Sequence, residues 1–153
     1  MRVVILGCGR VGSGMARSLA AQGHHVTVID KDPDAFRRLG ESFAGDVVRG
    51  LGIDADVLEE AGIRSADAFL AVTSGDNSNV MAAQMAKELY TVPKVLCRVY
   101  DPVRAHAYHQ LGIQTICPTT VSLELFRRYL FGEALGDFES NFRVTGYGPD
   151  EAK

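Results

Sequence analysis

Short apolar runs recur along the chain, separated by segments in which apolar residues return about every four positions. The runs are apolar throughout instead of alternating with polar residues, which is typical of parallel strands covered on both faces. They lie at residues 3–6, 26–29, 47–48, 68–72 and 95–99, with a weaker run at 114–117. The pattern therefore predicts six parallel strands.

The segments between these runs have the period of helices. Two apolar rows repeat every four residues: Val11, Met15 and Leu19 in the first, and Met81, Met85 and Leu89 in the second. Such rows predict helices that cover the sheet.

Capping residues mark where the helices begin and end. Asp-Pro pairs at 32–33 and 101–102 are typical of an N-cap followed by proline at the first helical position. Asp54 predicts a helix that Gly62 closes, and Gly112 predicts the end of the helix after the second pair. Six strands separated by five helices predict an α/β fold, a doubly wound parallel sheet of the Rossmann type. Its ligand crevice would lie at the carboxyl ends of the first and fourth strands.

The pattern changes after Cys117, where residues 121–131 predict one extra C-terminal helix. Its two apolar rows are Val121, Leu125 and Tyr129, and Leu123, Phe126 and Leu130. This apolar surface is broader than a helix on a monomer needs, which favours a dimer interface. We expect a Rossmann domain at 1–118, a dimerisation or crossover helix at 119–135, and at 136–153 a tail or the start of a further segment.

Composition excludes several classes of protein. The 153 residues suffice for one domain, and 46% hydrophobic with 23% charged residues is typical of globular proteins. The net charge of −3 argues against a nucleic-acid partner, which would favour a basic excess. No apolar stretch approaches the roughly 20 residues of a spanning helix. The first strand begins at the second or third residue, so no signal peptide is expected.

The three cysteines are Cys8, Cys97 and Cys117, with no CxxC pair among them. Their odd number favours a reducing, cytosolic compartment. We expect each to be a small buried apolar residue. The alternative for Cys8 is redox sensing, because it lies before a helix N-terminus.

A GxGxxG motif follows the first strand and opens an amphipathic helix; its residues are Gly7, Cys8, Gly9, Arg10, Val11 and Gly12. In that context the first glycine permits the turn, the second lets a pyrophosphate approach the backbone, and the third lets helix and strand pack closely. The helix N-terminus would supply free N–H groups to the phosphates. The alternative is a plain strand–helix turn.

Asp30 ends the second strand, and 30 − 12 = 18 residues after the last glycine is where a ribose-binding acid belongs. A carboxylate there accepts hydrogen bonds from both ribose hydroxyls and disfavours the 2′-phosphate of NADP. Three nearby basic residues could in principle neutralise that phosphate. Lys31 would have to turn back over the crevice to do so, and Arg37 and Arg38 are expected to be solvated on the next helix. The alternative role, capping that helix, suits Asp32 better.

Further polar side chains are expected at the crevice. Arg10 can reach a β- or γ-phosphate, its alternative being a solvent-facing arginine. Three residues follow the fourth strand at the crevice edge: Thr73, Ser74 and Gly75. Asn77 and Asn79 open the next helix, where the alternative for Asn77 is N-capping.

Enzyme motifs are weak. Tyr90 and Lys94 have the YxxxK spacing of short-chain dehydrogenases, but Pro93 interrupts the helix that this spacing requires. His106 and His109 lie three residues apart without an obvious third metal ligand. The chain contains no GxSxG motif and no Walker lysine.

The chain resembles the nucleotide-binding regulatory domains of Trk/Ktr-type potassium-transport subunits, also called RCK or TrkA-N domains. The resemblance covers residues 1 to about 130 and extends well beyond the glycine motif. It rests on 2–12 with Asp30, on Gly50 with 54–63 (DADVLEEAGI), on 66–79 (ADAFLAVTSGDNSN), and on 94–100 with 111–113.

The resemblance implies a domain that binds NAD(H), ATP or ADP and catalyses no reaction. It also implies a dimer assembled into a ring beneath a membrane potassium-conducting subunit, hence a cytoplasmic protein held at the inner face of the membrane. The implied nucleotide-binding residues are Gly7, Cys8, Gly9, Arg10, Val11, Gly12, Asp30, Lys31, Leu51, Thr73, Ser74, Gly75, Asn77, Asn79 and Arg98. Arg98 could equally belong to a structural ion pair.

Two positions depart from the family pattern. Leu51 stands where an acid near the adenine is usual, so backbone and apolar contacts are expected there. Thr119 follows Pro118 where a cation-binding glutamate is frequent, so no metal site is expected. The second regulatory domain common in the family is also absent from this sequence.

The alternative function is an NAD-dependent oxidoreductase, which would need a substrate domain with a positioned acid or base.

Overall fold

A six-stranded parallel sheet forms the centre of the computed structural model, which describes residues 1–133. The strands are β1 (Arg2–Leu6), β2 (His25–Asp30), β3 (Asp46–Arg49), β4 (Ala68–Ala71), β5 (Lys94–Arg98) and β6 (Gln114–Ile116). Their spatial order is β3-β2-β1-β4-β5-β6, and every neighbouring pair is parallel. The doubly wound sheet predicted from the apolar runs is therefore confirmed, with the strand order reversing between β1 and β4.

Helices cover both faces of this sheet. They are α1 (Arg10–Ala21), α2 (Ala55–Glu60), α3 (Asp76–Gln84), α4 (Pro102–Gln110) and α5 (Pro118–Leu130). A π-helical segment, Met85–Leu89, extends α3, and a short 3₁₀ turn, Ile63–Ser65, follows α2. The connection between β2 and β3 is the 3₁₀ helix Pro33–Leu39, so the α-helix expected there is a tighter element.

The capping predictions hold. The Asp54 side chain accepts a hydrogen bond from the Asp56 amide at 3.0 Å, and Gly62 follows α2 with φ of +80°. Asp101 accepts from two amides of the first turn of α4, and Gly112 follows that helix with φ of +80°. These positive φ angles are favourable for glycine, so the helices end there.

Alternate residues of β1 point to opposite faces and divide the core in two. Val3 and Ile5 pack with α1 and the 3₁₀ helix, whereas Val4 and Leu6 pack with the α2, α3 and α4 side. The burial of all four explains why this strand is apolar throughout.

The predicted apolar rows do not form the buried faces of their helices. In α1 the buried residues are Gly12, Ser13 and Ala16, whereas Val11 and Met15 are 46% and 41% exposed. α1 lies so close to the sheet that a Cβ atom on Gly12 would come within 1.8 Å of the Gly7 carbonyl oxygen. Small residues are therefore required on this face. Met81 and Leu89 are likewise exposed, whereas Met85 is half-buried against the core. The buried residues of α3 are Asn79, Val80, Ala82 and Ala83.

The extra C-terminal helix is present as α5, which begins three residues earlier than the apolar rows predicted. None of its residues is buried. No helix within residues 1–133 has the length and apolarity needed to cross a membrane. The predicted segment 136–153 lies outside the described residues.

Candidate functional site

A crevice of about 800 Å³ opens at the carboxyl ends of β1 and β4, where the strand order reverses. This volume lies within the roughly 300–1,000 Å³ typical of small-molecule sites. Four segments line it: the glycine loop, the end of β2 with the following 3₁₀ helix, the loop after β3, and the segment after β4. The lining residues are Leu6, Gly7, Cys8, Gly9, Arg10, Val11, Asp30, Lys31, Asp32, Ala35, Arg38, Gly50, Leu51, Gly52, Ile53, Val72, Thr73, Ser74, Gly75, Ser78, Arg98 and Tyr100.

The three glycines of the loop have three different surroundings. Gly7 has φ of +104°, and a Cβ there would lie 2.9 Å from the Thr73 amide nitrogen. A Cβ on Gly12 would overlap the Gly7 carbonyl, whereas one on Gly9 would meet nothing within 4 Å. Gly9 therefore borders open space in front of α1. The packing role predicted for Gly12 is therefore confirmed. Gly12 does not line the crevice, so its position does not support the ligand contact that the resemblance implied.

The N-terminus of α1 faces this open space. Its N-cap is Gly9, and no side chain caps the helix. First-turn amides and the helix dipole favour an anion at such a position. Arg10 and Val11 form the first turn and line the crevice, as predicted.

Asp30 lies at the end of β2 with its carboxylate fixed by two backbone amides. Its Oδ2 accepts a hydrogen bond from the Cys8 amide at 2.7 Å, and its Oδ1 accepts one from the Asp32 amide at 3.0 Å. The carboxylate is thereby joined to the glycine loop. Each oxygen keeps a further lone pair for a hydroxyl donor on the crevice side. Asp32 caps the 3₁₀ helix by accepting from the Asp34 amide, as expected for that residue.

The Cys8 thiol is fully buried and donates to the Ala35 carbonyl oxygen at 3.3 Å. Burial raises the pKa of this thiol to about 11, with a smaller contribution from Asp30. The thiolate that redox sensing requires is therefore disfavoured in Cys8. The expectation of a buried cysteine is confirmed for Cys8 and Cys97 but not for Cys117, which is only partly buried. Burial likewise raises the pKa of Cys97 to about 11.

The segment after β4 forms the other half of the crevice. Thr73, Ser74 and Gly75 line it as predicted. Asn79 does not, because it is fully buried: its Oδ1 accepts from the Thr73 amide at 2.9 Å, and its Nδ2 donates to the Thr73 and Arg98 carbonyls at 2.9 Å each. Its expected ligand contact is corrected to a structural role, which fixes the loop that carries Thr73.

Asn77 also lies away from the crevice lining. It is the second residue of α3, so it is not the N-cap either, and its Oδ1 accepts a hydrogen bond from the Arg104 guanidinium. Its expected ligand contact is not supported by this position, because the side chain is held toward α4.

Arg98 ends β5 and lines the crevice. Its Nη2 donates to the Val72 and Thr73 carbonyls at 2.5 and 2.9 Å, and its Cζ lies 4.7 Å from the centroid of the Tyr100 ring. None of the ion pairs within residues 1–133 includes Arg98, so the ion-pair alternative is not supported in this part of the chain.

Ten of the lining residues were not predicted from the sequence, and two of them, Arg38 and Tyr100, carry large polar side chains. Arg38 is exposed to solvent, as expected, but it also borders the Asp30 side of the crevice, which was not expected. Arg37 instead pairs with Asp34 at 3.0 Å, exposed to solvent. Tyr100 lies two residues beyond Arg98, and its place after a strand at the crevice edge was a usable signal.

Leu51 lines the crevice with 55% of its surface exposed. Its neighbours Gly50, Gly52 and Ile53 present backbone and apolar surface to the same part of the crevice. No group of three or more His, Cys, Asp or Glu side chains that could hold a metal occurs within the described part of the chain.

Comparisons with known proteins point to one family. The model of the TrkA-N domain matches residues 3–119. The chain is 58% identical over 116 residues to the Trk system potassium uptake protein TrkA of Streptomyces coelicolor, covering 76% of this chain and 52% of that protein. It spans about half the length of the curated relatives that it matches.

Solved structures agree with this assignment. The Kef CTD of Shewanella denitrificans in AMP-bound form superposes with a TM-score of 0.71 at 26% identity, covering 88% of this chain and 84% of that chain. The GsuK channel bound to NAD superposes with a TM-score of 0.67 at 25% identity, covering 84% of this chain and 23% of that one.

Proposed function

The chain belongs to the TrkA-N domain family, and we propose on that premise that it is a nucleotide-sensing regulatory subunit of a membrane potassium transporter or channel. The nucleotide is NAD(H), ATP or ADP, bound without turnover. The subunit acts in the cytoplasm, at the inner face of the membrane, through its membrane partner. One observation carries the nucleotide assignment: open space over Gly9 lies between the uncapped N-terminus of α1 and the fixed carboxylate of Asp30.

The site has separate places for the parts of an adenine nucleotide. Asp30 suits the ribose hydroxyls, the apolar and backbone surface around Leu51 suits the adenine, and the α1 N-terminus with Arg10 suits the phosphates. Beyond the phosphates, Thr73, Ser74 and Arg98 line the part of the crevice that a second nucleoside or a terminal phosphate would occupy. Related structures bound to AMP and NAD support this ligand class.

The oxidoreductase alternative receives less support. Residues 1–133 form a single sheet with its covering helices, and this part of the chain contains no second unit to hold a substrate over the crevice. The relative from Streptomyces coelicolor is named as a potassium uptake protein. We therefore assign the crevice to ligand sensing.

The exposed surface of α5 supports a homodimer, which could be the unit of a larger ring. Leu123, Phe126 and Leu130 are 62%, 68% and 79% exposed in the single chain. Burying such side chains against a second copy contributes about 25 cal/mol per Å² of apolar surface removed from water. A dimer through α5 would transmit nucleotide-dependent geometry to the membrane partner.

Two alanine substitutions in the glycine loop test the nucleotide assignment. Gly9→Ala adds a methyl group to open space at φ of −76°, which alanine tolerates, so the melting temperature should change by no more than about 4 °C. The same methyl group would occupy the position where a pyrophosphate approaches. We expect at least about tenfold weaker binding of ADP and NAD⁺, or about 1.4 kcal/mol, by titration calorimetry.

Gly12→Ala is the matched control in the same loop. Its methyl group overlaps a backbone carbonyl, so the fold itself should lose roughly 3 kcal/mol or more. Mass spectrometry of nucleotide that co-purifies with the parent protein would identify the natural ligand. Unchanged affinity of Gly9→Ala for both nucleotides would show that phosphate does not lie over Gly9, and would remove the observation on which the assignment depends.

A further inference from the structure

Tyr100 lies between the crevice and the first turn of α5. Tyr100 lines the crevice, and the centroid of its ring lies 4.7 Å from the Arg98 guanidinium carbon. Its carbonyl oxygen accepts a hydrogen bond from Thr119 Oγ1 at 2.8 Å and one from Cys117 Sγ at 3.4 Å. Thr119 is the second residue of α5, so one residue contacts both the ligand site and the extra helix.

The backbone of Tyr100 is also joined to the loop after β4. Asp76 Oδ1 accepts from the Tyr100 amide at 2.9 Å, and its Oδ2 accepts from the Asp101 amide at 3.3 Å. The Asp76 side chain is only 12% exposed, and Asp76 is the first residue of α3, directly after the crevice residues Thr73 to Gly75. A shift of that loop is therefore passed to the Tyr100 backbone through a largely buried carboxylate.

α5 has few other attachments to the α/β body. Within residues 1–133, the Thr119–Tyr100 contact is the side-chain hydrogen bond that joins α5 to the body, since the Glu124, Arg127, Arg128 and Glu133 contacts stay within α5 and its end. No residue of α5 is buried. The direction of the helix is thus set at its first turn.

We propose that Tyr100 and Thr119 are positioning residues that transmit occupancy of the crevice to the orientation of α5. The proposal rests on the proposed function, in which the crevice binds an adenine nucleotide. A phosphate or second nucleoside beside Arg98 competes for a guanidinium that donates to the Val72 and Thr73 carbonyls and faces the Tyr100 ring. A nucleotide that draws the Arg98 guanidinium away from these carbonyls would also change its contact with the Tyr100 ring, and binding would then shift the equilibrium of α5.

Thr119→Val tests this link with little change in shape, because it replaces the hydroxyl by a methyl group and keeps the branched side chain. Thr119→Ser is the matched control, since it retains the hydroxyl. The readout is amide hydrogen exchange of residues 121–130, with and without saturating ADP and, in parallel, NAD⁺. In the parent and in Thr119→Ser, we expect saturation to change the exchange rates by about fivefold or more, the lower end of typical allosteric coupling.

In Thr119→Val the nucleotide-induced change should fall below about twofold, while calorimetry shows the crevice saturated. A nucleotide response in Thr119→Val equal to that of the parent would overturn the proposal, as would bound nucleotide without any response of α5 in the parent. Absence of binding of both nucleotides to the parent would instead contradict the proposed function and, with it, this inference. The binding isotherm therefore separates the two failures.

Discussion

Replacing Asp30 should affect nucleotide selectivity and affinity together. Both carboxylate oxygens already accept backbone N–H groups, from Cys8 on one side and Asp32 on the other. Asp30→Ala removes both acceptors, whereas Asp30→Asn can accept through its single carbonyl oxygen only. The asparagine would turn its NH₂ group toward the second amide, so it is not a neutral substitute here. Asp30→Ala is therefore the simpler perturbation for binding measurements.

The size of the effect follows from the contacts that Asp30 can make. A hydrogen bond to a charged group contributes about 1.5–3 kcal/mol. Asp30 is partly exposed, so we take the value of one such bond for the two ribose hydroxyls together. Loss of the carboxylate should then weaken NAD⁺ by roughly ten- to a hundredfold. For NADP⁺ the 2′-hydroxyl donor is replaced by a charged phosphate facing the carboxylate, which should weaken binding to the parent by at least about tenfold, or ~1.4 kcal/mol.

Arg38 opposes this discrimination, because it lines the same end of the crevice. Arg38→Ala should therefore increase the preference for NAD⁺ over NADP⁺, and Asp30→Ala should remove most of it. Calorimetric titration of the parent and both variants with the two dinucleotides gives the ratio of the dissociation constants for NADP⁺ and NAD⁺. If the parent binds NADP⁺ as tightly as NAD⁺, Asp30 is not the ribose acceptor and the assignment of this end of the crevice is wrong.

Three further outcomes are expected. Arg10→Ala should weaken ATP and ADP about ten- to a hundredfold more than AMP, because only the former place phosphate beyond the first; equal weakening in calorimetry would mean that Arg10 acts through the fold. Leu130→Glu should convert the dimer to a monomer in light scattering without loss of nucleotide binding, and a parent that is already monomeric would contradict the α5 interface. Iodoacetamide at pH 8 should modify Cys117 before Cys8 and Cys97 in peptide mapping, since a thiol with a pKa near 11 is ionised in only about one molecule in a thousand and both are buried; earlier modification of Cys8 would show that the glycine loop opens.

The apolar runs predicted the sheet because a parallel strand must be apolar on both faces, and β1 buries Val3, Val4, Ile5 and Leu6 as that rule requires. The buried faces of the helices were not predictable in the same way. Val11 and Met15 are apolar and have helical spacing, yet the close approach of α1 to the sheet at Gly12 admits only small residues. The spacing of hydrophobic residues along the sequence does not predict the distance between a helix and the sheet on which it packs.

Some residues of the candidate site could be predicted from the sequence, and others could not. The glycine loop and Asp30 are local to strand ends, where spacing along the chain fixes position in space. The positions of the Asn79 and Arg38 side chains relative to the crevice depend instead on the direction in which each side chain leaves its helix. Asn79 is polar and close to the crevice in sequence, but four hydrogen bonds with Thr73 and Arg98 keep it in the core. Only the three-dimensional arrangement of β4 and β5 shows this.

Thr119, which departs from the family pattern, makes a specific contact with the α/β body. Domains that the chain resembles often carry a glutamate at this position, where it can hold a cation. Here the hydroxyl of Thr119 is donated to the Tyr100 carbonyl, which places an uncharged side chain at the first turn of α5. With Asp76 fixing the Tyr100 amide and Thr119 fixing its carbonyl, the peptide groups around Tyr100 connect α3, the crevice and α5. These contacts within one chain are the ones on which the proposed coupling between the ligand site and α5 depends.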